Sequence, residues 1–332
     1  MKVSVTLIIP LFNAELYIGT CLDSIQNQSY RDFEVLIIDD GSIDSSADIV
    51  KDYVEKDGRI KYYFQENQGA AAARNKGLTL ANGEHIFFVD ADDWLETNFL
   101  ESFSPYFYAY DFAICGYLDH SRYARSLEIH DFDLIKGEKL TLGEEFFQGT
   151  AGVPWGKMYK RSILEDNNLL FNSNFLMSED LDFNLRYIQF IGSFKIINAY
   201  LYNYNRLNDG SITSKIGIGY LESYLYSNNK IYEDAMNLNI SKDIVNNWIA
   251  NRMVNYASIT TKKIAIDSSL TFKDKVKLNS NFLSQIGSKY NIHVFVGRLS
   301  FLNRITNSNS PFLITVFKYL EDILEKIWNR RK

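Results

Sequence analysis

Between residues 3 and 100 the chain repeats one pattern: a short apolar run, a polar loop, then apolar residues at helical spacing. "VSVTLIIP" leads into "AELYIGTCLDSIQNQ", where Leu16, Tyr17, Cys21, Leu22 and Ile25 fall on one helical face. "FEVLIID" leads into "DSSADIVKDYVEK", with Asp44 as the expected N-cap. "IKYYF", the Ala-rich "GAAAARNKGLTLA" and "HIFFVD" continue as strand, helix and strand. Alternation of this kind requires right-handed crossovers and a mostly parallel sheet flanked by helices on both faces, a Rossmann-like α/β architecture. Ligands of such sheets bind beyond the carboxyl ends of the strands. The polar segments "PLFNAE", "DDGSID", "QENQG" and "DADD" all stand at those ends, so these loops are expected to converge on one crevice.

After about residue 100 the rhythm changes. "YDFAICGYL" reads as a further strand, "HSRYARSLEIHDFDLIKG" as a hairpin or irregular excursion, and "TLGEEFFQ" as a short helix. From about residue 216 the segments read as helices, which predicts an α/β domain over 1–215 and a helical region over 216–332. Within the latter, Phe312, Leu313, Val316, Phe317, Leu320, Ile323, Leu324 and Ile327 share one helical side ahead of a basic "RRK" end. That stripe suits a helix that closes the domain or contacts a second copy, or one that lies on an anionic membrane leaflet.

Charge narrows the partners. With 35 Lys+Arg against 41 Asp+Glu, the chain has no broad electrostatic grip on nucleic acid, so any phosphate must be held locally. Cys21 and Cys115 form no disulfide framework, and the apolar run before Pro10 is too short for a signal peptide. A reduced, cytoplasmic setting is the expectation.

The usual phosphate cradles are missing. No GxGxxG follows the first strand, and "AGVPWGKM" has Ala151 and Met158 where a Walker A loop needs Gly and Ser or Thr. A diphosphate held here therefore needs a cation. "EHIFFVDADDWLE" offers one a site: at an extended strand end, Asp90 and Asp92 project the same way, while Asp93 is expected to cap a following helix. Hard oxygen donors so few in number suit Mg²⁺ or Mn²⁺ completed by phosphate and water. "DDGS" is a turn signal whose carboxylate is also able to accept an imide N–H, and Arg74 and Lys76 bring cations on the Ala-rich helix.

In this order and spacing, "LIIPLFNAELYIGTCLDSIQNQSYRDFEVLIIDDGSIDSS", "QENQGAAAARNKGL" and "GEHIFFVDADD" resemble the family 2 glycosyltransferases of GT-A fold, strongly over residues 3–100 and more loosely over 150–215. The resemblance implies that Pro10, Phe12, Asn13 and Glu15 line a nucleoside pocket, with Asp39 as uracil partner and Asp40, Gly41 and Ser42 alongside. Asn67, Gly69, Arg74 and Lys76 would border nucleotide and sugar. Asp90-Ala91-Asp92 matches the DxD motif, with Asp92 on the metal and Asp90 on ribose or metal-bound water. Trp155 and Lys157 of "WGKMYKR" resemble an acceptor-side segment.

"MSEDLDFNLR" matches the pair that carries the base, here Asp180 with Glu179 as the alternative. Both also fall in a first helical turn, where the dipole favours negative charge and would keep a carboxylate ionised. "YLYNYNRLNDGSIT" resembles a segment that folds over the diphosphate: Arg206 would pair with phosphate, and Tyr202 and Tyr204 would stack on sugar or simply pack. Asn205 replaces the family's frequent His or Gln, leaving the third metal ligand open.

The implied activity is inverting, metal-dependent transfer of a hexosyl or N-acetylhexosaminyl group from a UDP-sugar to a glycan or lipid-linked acceptor. Its setting would be cell-surface polysaccharide synthesis at the inner face of the membrane. The competing class is a catalytically silent sugar-nucleotide-binding or scaffold subunit, in which the metal pair or the base is expected to be lost. This chain has both.

Overall fold

The computed structural model describes residues 3–120, 125–126, 132–134, 152–175, 177–205, 220–236 and 271–278, with single positions and pairs between 242 and 264. The chain divides into two compact units, Met1–Ser214 with Tyr226–Asn239, and Lys215–Leu225 with Ile240–Lys332.

The first unit is built on strands β1 (Val5–Leu11), β2 (Phe33–Asp39), β3 (Ile60–Phe64) and β4 (His85–Phe88). They stand in the order β3-β2-β1-β4, all parallel, so every one of them finishes at the same edge of the sheet. Helices α1 (Ile18–Gln26), α2 (Ser46–Lys56) and α3 (Ala70–Leu80) make the crossovers. On one face Ile18, Cys21, Leu22 and Ile25 of α1 pack into a core with Leu7, Ile9, Val35 and Ile37; each large aliphatic side chain so buried contributes about 1.5–3 kcal/mol. On the other face α3 comes so close that a Cβ at Gly77 would lie 2.4 Å from Ile8 Cγ2. Small residues are needed along that contact, which explains the alanine-rich text.

Beyond β4 the sheet becomes mixed. Strands β5 (Trp94–Leu95), β6 (Phe112–Asp119), β9 (Lys157–Lys160) and β10 (Phe194–Tyr204) extend it in the order β4-β9-β6-β10-β5. β9 runs antiparallel to both β4 and β6, whereas β6 and β10 are parallel. The excursion after β6 contributes β7 (Arg125–Ser126), antiparallel to β6, and β8 (Phe132–Leu134), antiparallel to β10. Helices α4 (Phe99–Phe103), α5 (Arg161–Asp166), α6 (Glu179–Tyr187) and α7 (Tyr220–Met236) complete the named elements. No helix among the described residues is long and apolar enough to cross a membrane.

Several local expectations change. α1 begins at Ile18, and Leu16 is 78% exposed ahead of it. α2 begins at Ser46, one residue later than capping by Asp44 predicts, although Asp44 Oδ1 still accepts from the Ser46 N–H at 3.0 Å. β4 stops at Phe88, and residues 90–93 form a turn closed by the Asp93 N–H on the Asp90 carbonyl at 3.1 Å. Asp90 and Asp92 therefore sit on a turn and not on extended chain. Asp93 caps no helix: Trp94–Leu95 pairs with β10, and the next helix starts at Phe99. Its buried carboxylate instead accepts from the Tyr202 hydroxyl at 2.6 Å and the Asn205 N–H at 2.8 Å. Arg206, "TLGEEFFQ" and the apolar stripe of 311–332 lie outside the described residues.

Candidate active site

The loops that follow β1, β2 and β3 are laced together by their own polar side chains. Asp39, fully buried at the end of β2, closes its turn by accepting from the Ser42 N–H at 2.8 Å, and it accepts from the Tyr62 hydroxyl at 2.6 Å. Asp40 reaches the third loop, accepting from Gln65 Nε2 at 2.7 Å and from the Gln68 and Gly69 N–H groups at 2.8 and 2.7 Å. The turn between them needs Gly41, whose φ is +81° and whose Cβ would stand 3.0 Å from the Asn67 nitrogen. Asn13, itself left-handed at φ 48°, accepts from the Ile43 N–H at 2.9 Å, and Ser42 Oγ accepts from the Asn13 N–H at 3.0 Å. Glu15 accepts from the Ser45 N–H at 2.9 Å, and Lys76 donates to the Phe64 carbonyl at 2.6 Å. Pro10 is inside β1, paired with Ile38, while the Phe12 ring remains 50% exposed.

Deeper in, the chain brings together residues far apart in sequence. Arg74, only 4% exposed, projects from α3 and donates Nη2 to Asp90 Oδ1 and Nη1 to Asp180 Oδ1, both at 2.9 Å. Its guanidinium lies over the Phe171 ring, 5.4 Å from the centroid, and its Nε is buried with no acceptor. One side chain thus spans the aspartate turn and the start of α6. Ser178 turns the chain into that helix with φ 70°, and Glu179, Asp180 and Asp182 occupy the first turn. Asp182 faces away from this centre, paired with Arg186 at 2.6 Å.

Burial sets the charges. Desolvation raises the Asp180 carboxyl from 3.8 to about 7, with Glu179 and Asp90 adding to the rise and Arg74 and Lys157 opposing it. The helix dipole favours the ionised form, but burial outweighs it. Lys157, 1% exposed, has its ammonium pushed down from 10.5 to about 7 by burial; Nζ donates to the Trp155 carbonyl at 3.3 Å. Burial also works against the Arg74 charge, yet Asp180, Asp90 and Glu179 together hold it more firmly protonated than usual.

A wall of aromatics closes the far side. Trp155 lies flat on Tyr202, centroids 4.4 Å apart and planes 5° apart, and also meets Tyr204 and Tyr117 at 5.2 and 5.0 Å. Tyr202 and Tyr204 therefore pack on tryptophan. The signal for this wall was the tyrosine-rich text of β10, but sequence alone left its partner unidentified.

The acids around the turn fit a hard divalent cation. The Asp93 carboxyl is pushed well up by burial first and then by the fields of Asp90 and Asp92, and the Cys21 thiol by burial and then by Asp93, Asp92 and Asp90. Negative charge therefore exceeds what Arg74 compensates, and a cation would relieve it. Among the described residues no three His, Cys, Asp or Glu side chains form a metal cage. Asp90 and Asp92 are the side chains that would hold such an ion, and so few hard oxygen donors suit Mg²⁺ or Mn²⁺.

Comparison with known proteins gives the family and the fold. The family model "Glycosyl transferase family 2" matches residues 6–167. The candidate glycosyltransferase EpsH of Bacillus subtilis is 34% identical over 248 residues, covering 69% of this chain and 71% of its own. The GalNAc(5)-diNAcBac-PP-undecaprenol beta-1,3-glucosyltransferase of Campylobacter jejuni is 29% identical over 247 residues, with 72% and 77% covered. Among solved structures, S. aureus TarS 1–349 in complex with UDP-GlcNAc superposes with a TM-score of 0.68 at 19% identity, covering 95% of this chain and 90% of that one. The mixed sheet and its helices are thus those of the GT-A fold, and the chain belongs to glycosyl transferase family 2.

Proposed function

We propose that the protein is an inverting glycosyltransferase that moves a sugar from a nucleoside diphosphate, best matched by UDP, to an acceptor hydroxyl. One observation carries the reading: Arg74 holds Asp90 of the DxD turn and Asp180 of α6 in a single reach, so a donor-side acid and a basic carboxylate share one centre. A carboxyl near 7 is half ionised at neutral pH, which suits general-base work.

Asp180 takes the proton of the acceptor hydroxyl, and that oxygen bonds to the anomeric carbon as the bond to the diphosphate breaks. The nucleoside diphosphate departs from the opposite face, which inverts the configuration. A divalent ion held by Asp90 and Asp92 would supply Lewis-acid stabilisation of charge on that leaving group. Arg74 keeps the base and the turn in register, and the buried Lys157 ammonium anchors the Trp155 carbonyl, fixing the aromatic wall where an acceptor would lie. Pro10, Phe12, Asn13, Glu15, Asp39, Asn67, Gly69 and Lys76 frame the nucleoside side of the crevice in this reading.

A UDP donor is supported by the fold shared with TarS, solved with UDP-GlcNAc. A lipid-linked glycan acceptor in cell-surface polysaccharide synthesis is supported by the relative that acts on an undecaprenol-linked glycan. The test incubates the full chain with a panel of UDP- and GDP-sugars and Mn²⁺ and follows nucleotide release. Asp180→Asn should cut turnover by about 10²–10⁴-fold while still binding nucleotide. Turnover that survives Asp180→Asn or Asp92→Ala, or a product of retained configuration, rejects the mechanism.

A further inference from the structure

The tyrosines of β10 have no part in the chemistry above, yet one of them meets both walls of the site. Tyr202 is fully buried. Its hydroxyl donates to Asp93 Oδ2 at 2.6 Å and accepts from the Asp90 backbone N–H at 3.2 Å, so one oxygen grips both ends of the aspartate turn. Its ring is the one stacked flat on Trp155. Asp93 Oδ1 also takes the Asn205 N–H, which fastens the turn to β10 at a second point. The pairing Asn203↔Trp94 and Tyr202↔Leu95 continues the attachment along β5.

The direction in which a carboxylate points depends on where its backbone is held. Asp90 and Asp92 sit on a four-residue turn, which has little rigidity of its own, and β10 supplies it from outside. We propose that Tyr202 is a positioning residue: its hydroxyl holds the Asp90–Asp93 turn in the pose that grips a metal-bound nucleoside diphosphate, and its ring ties that pose to Trp155. The inference rests on the reading that Asp90 and Asp92 serve the diphosphate, and it adds a residue that touches neither metal nor nucleotide.

The test uses the full chain and compares two tyrosine variants. Tyr202→Phe keeps the stacked ring and removes the hydroxyl. Tyr187→Phe is the control: Tyr187 is equally buried, and its hydroxyl donates to the Asp111 carbonyl and accepts from the Lys160 N–H, both at 2.7 Å, away from the turn. Both variants should lower the thermal midpoint. Only Tyr202→Phe should weaken UDP binding in Mn²⁺, by about tenfold in calorimetry, and lower kcat at saturating donor. Wild-type affinity in Tyr202→Phe, or an equal loss in Tyr187→Phe, overturns the inference and leaves the function intact. A wild-type chain that binds neither UDP nor GDP with Mn²⁺ overturns both.

Discussion

Replacing Arg74 with methionine tests how the buried acids are held. Removing one partner of a buried ion pair typically costs about 3–5 kcal/mol. Here the Asp90 and Asp180 side chains are 27% and 21% exposed, so water recovers part of the loss. The unsatisfied Arg74 Nε also disappears with the side chain, removing a penalty of about 1–3 kcal/mol. A net destabilisation of about 2 kcal/mol near pH 8 follows. It should depend on pH in a defined direction. The Asp180 carboxyl lies at about 7 in the folded chain against 3.8 ordinarily, so its favourable contribution is present below 3.8 and lost as pH rises through about 7. Arg74 is the largest influence holding that value down, so in Arg74→Met it rises further and Asp180 stays neutral at pH 6. Urea unfolding of both proteins at pH 6 and pH 9 should show the smaller gap at pH 6. An equal or larger cost at pH 6 would refute the assignment of the bridge to ionised carboxylates.

Two further substitutions probe the scaffold. Gly77→Ala drives a methyl into Ile8, 2.4 Å from Cγ2, and should cost about 1–3 kcal/mol, read as a lower urea midpoint; an unchanged midpoint would mean that α3 shifts freely. Lys157 gives up its proton near 7 when folded and near 10.5 when unfolded, so wild-type stability should rise with pH across that window by up to about 5 kcal/mol. Lys157→Met removes the dependence, and matching pH–stability curves for the two proteins would sink the claim.

The parallel half of the sheet was legible because its information is local. β-branched runs, helical spacing and Asp-Gly turn chemistry fall within short windows, and the strands and crossovers of residues 5–80 follow that text in order, with α1 and α2 starting a little later than it puts them. The DADD segment was misread for the same reason. Asp93 before an apolar residue looks like a helix cap, but Tyr202 and Asn205, more than a hundred positions away, claim its carboxylate. Likewise, the dipole argument for an ionised Asp180 used only its own helix, whereas burial by other elements sets its proton affinity. No short window announces that Arg74 reaches from α3 to α6, because that bridge depends on where two helices far apart in sequence are placed.

The reversed strand β9 separates two kinds of change. Because it runs against β4 and β6, its first residues stand at the sheet edge where the parallel strands finish, with Trp155 bridged to Phe88 and Lys157 beside Ile114. The described chain from Gly152 therefore leads into β9 from that edge. In the proposed function Trp155 and Lys157 face the acceptor, and substitutions at either would leave the register of β3-β2-β1-β4 untouched. On the proposed function, a chain of this topology would change what it glycosylates without altering how it holds its donor.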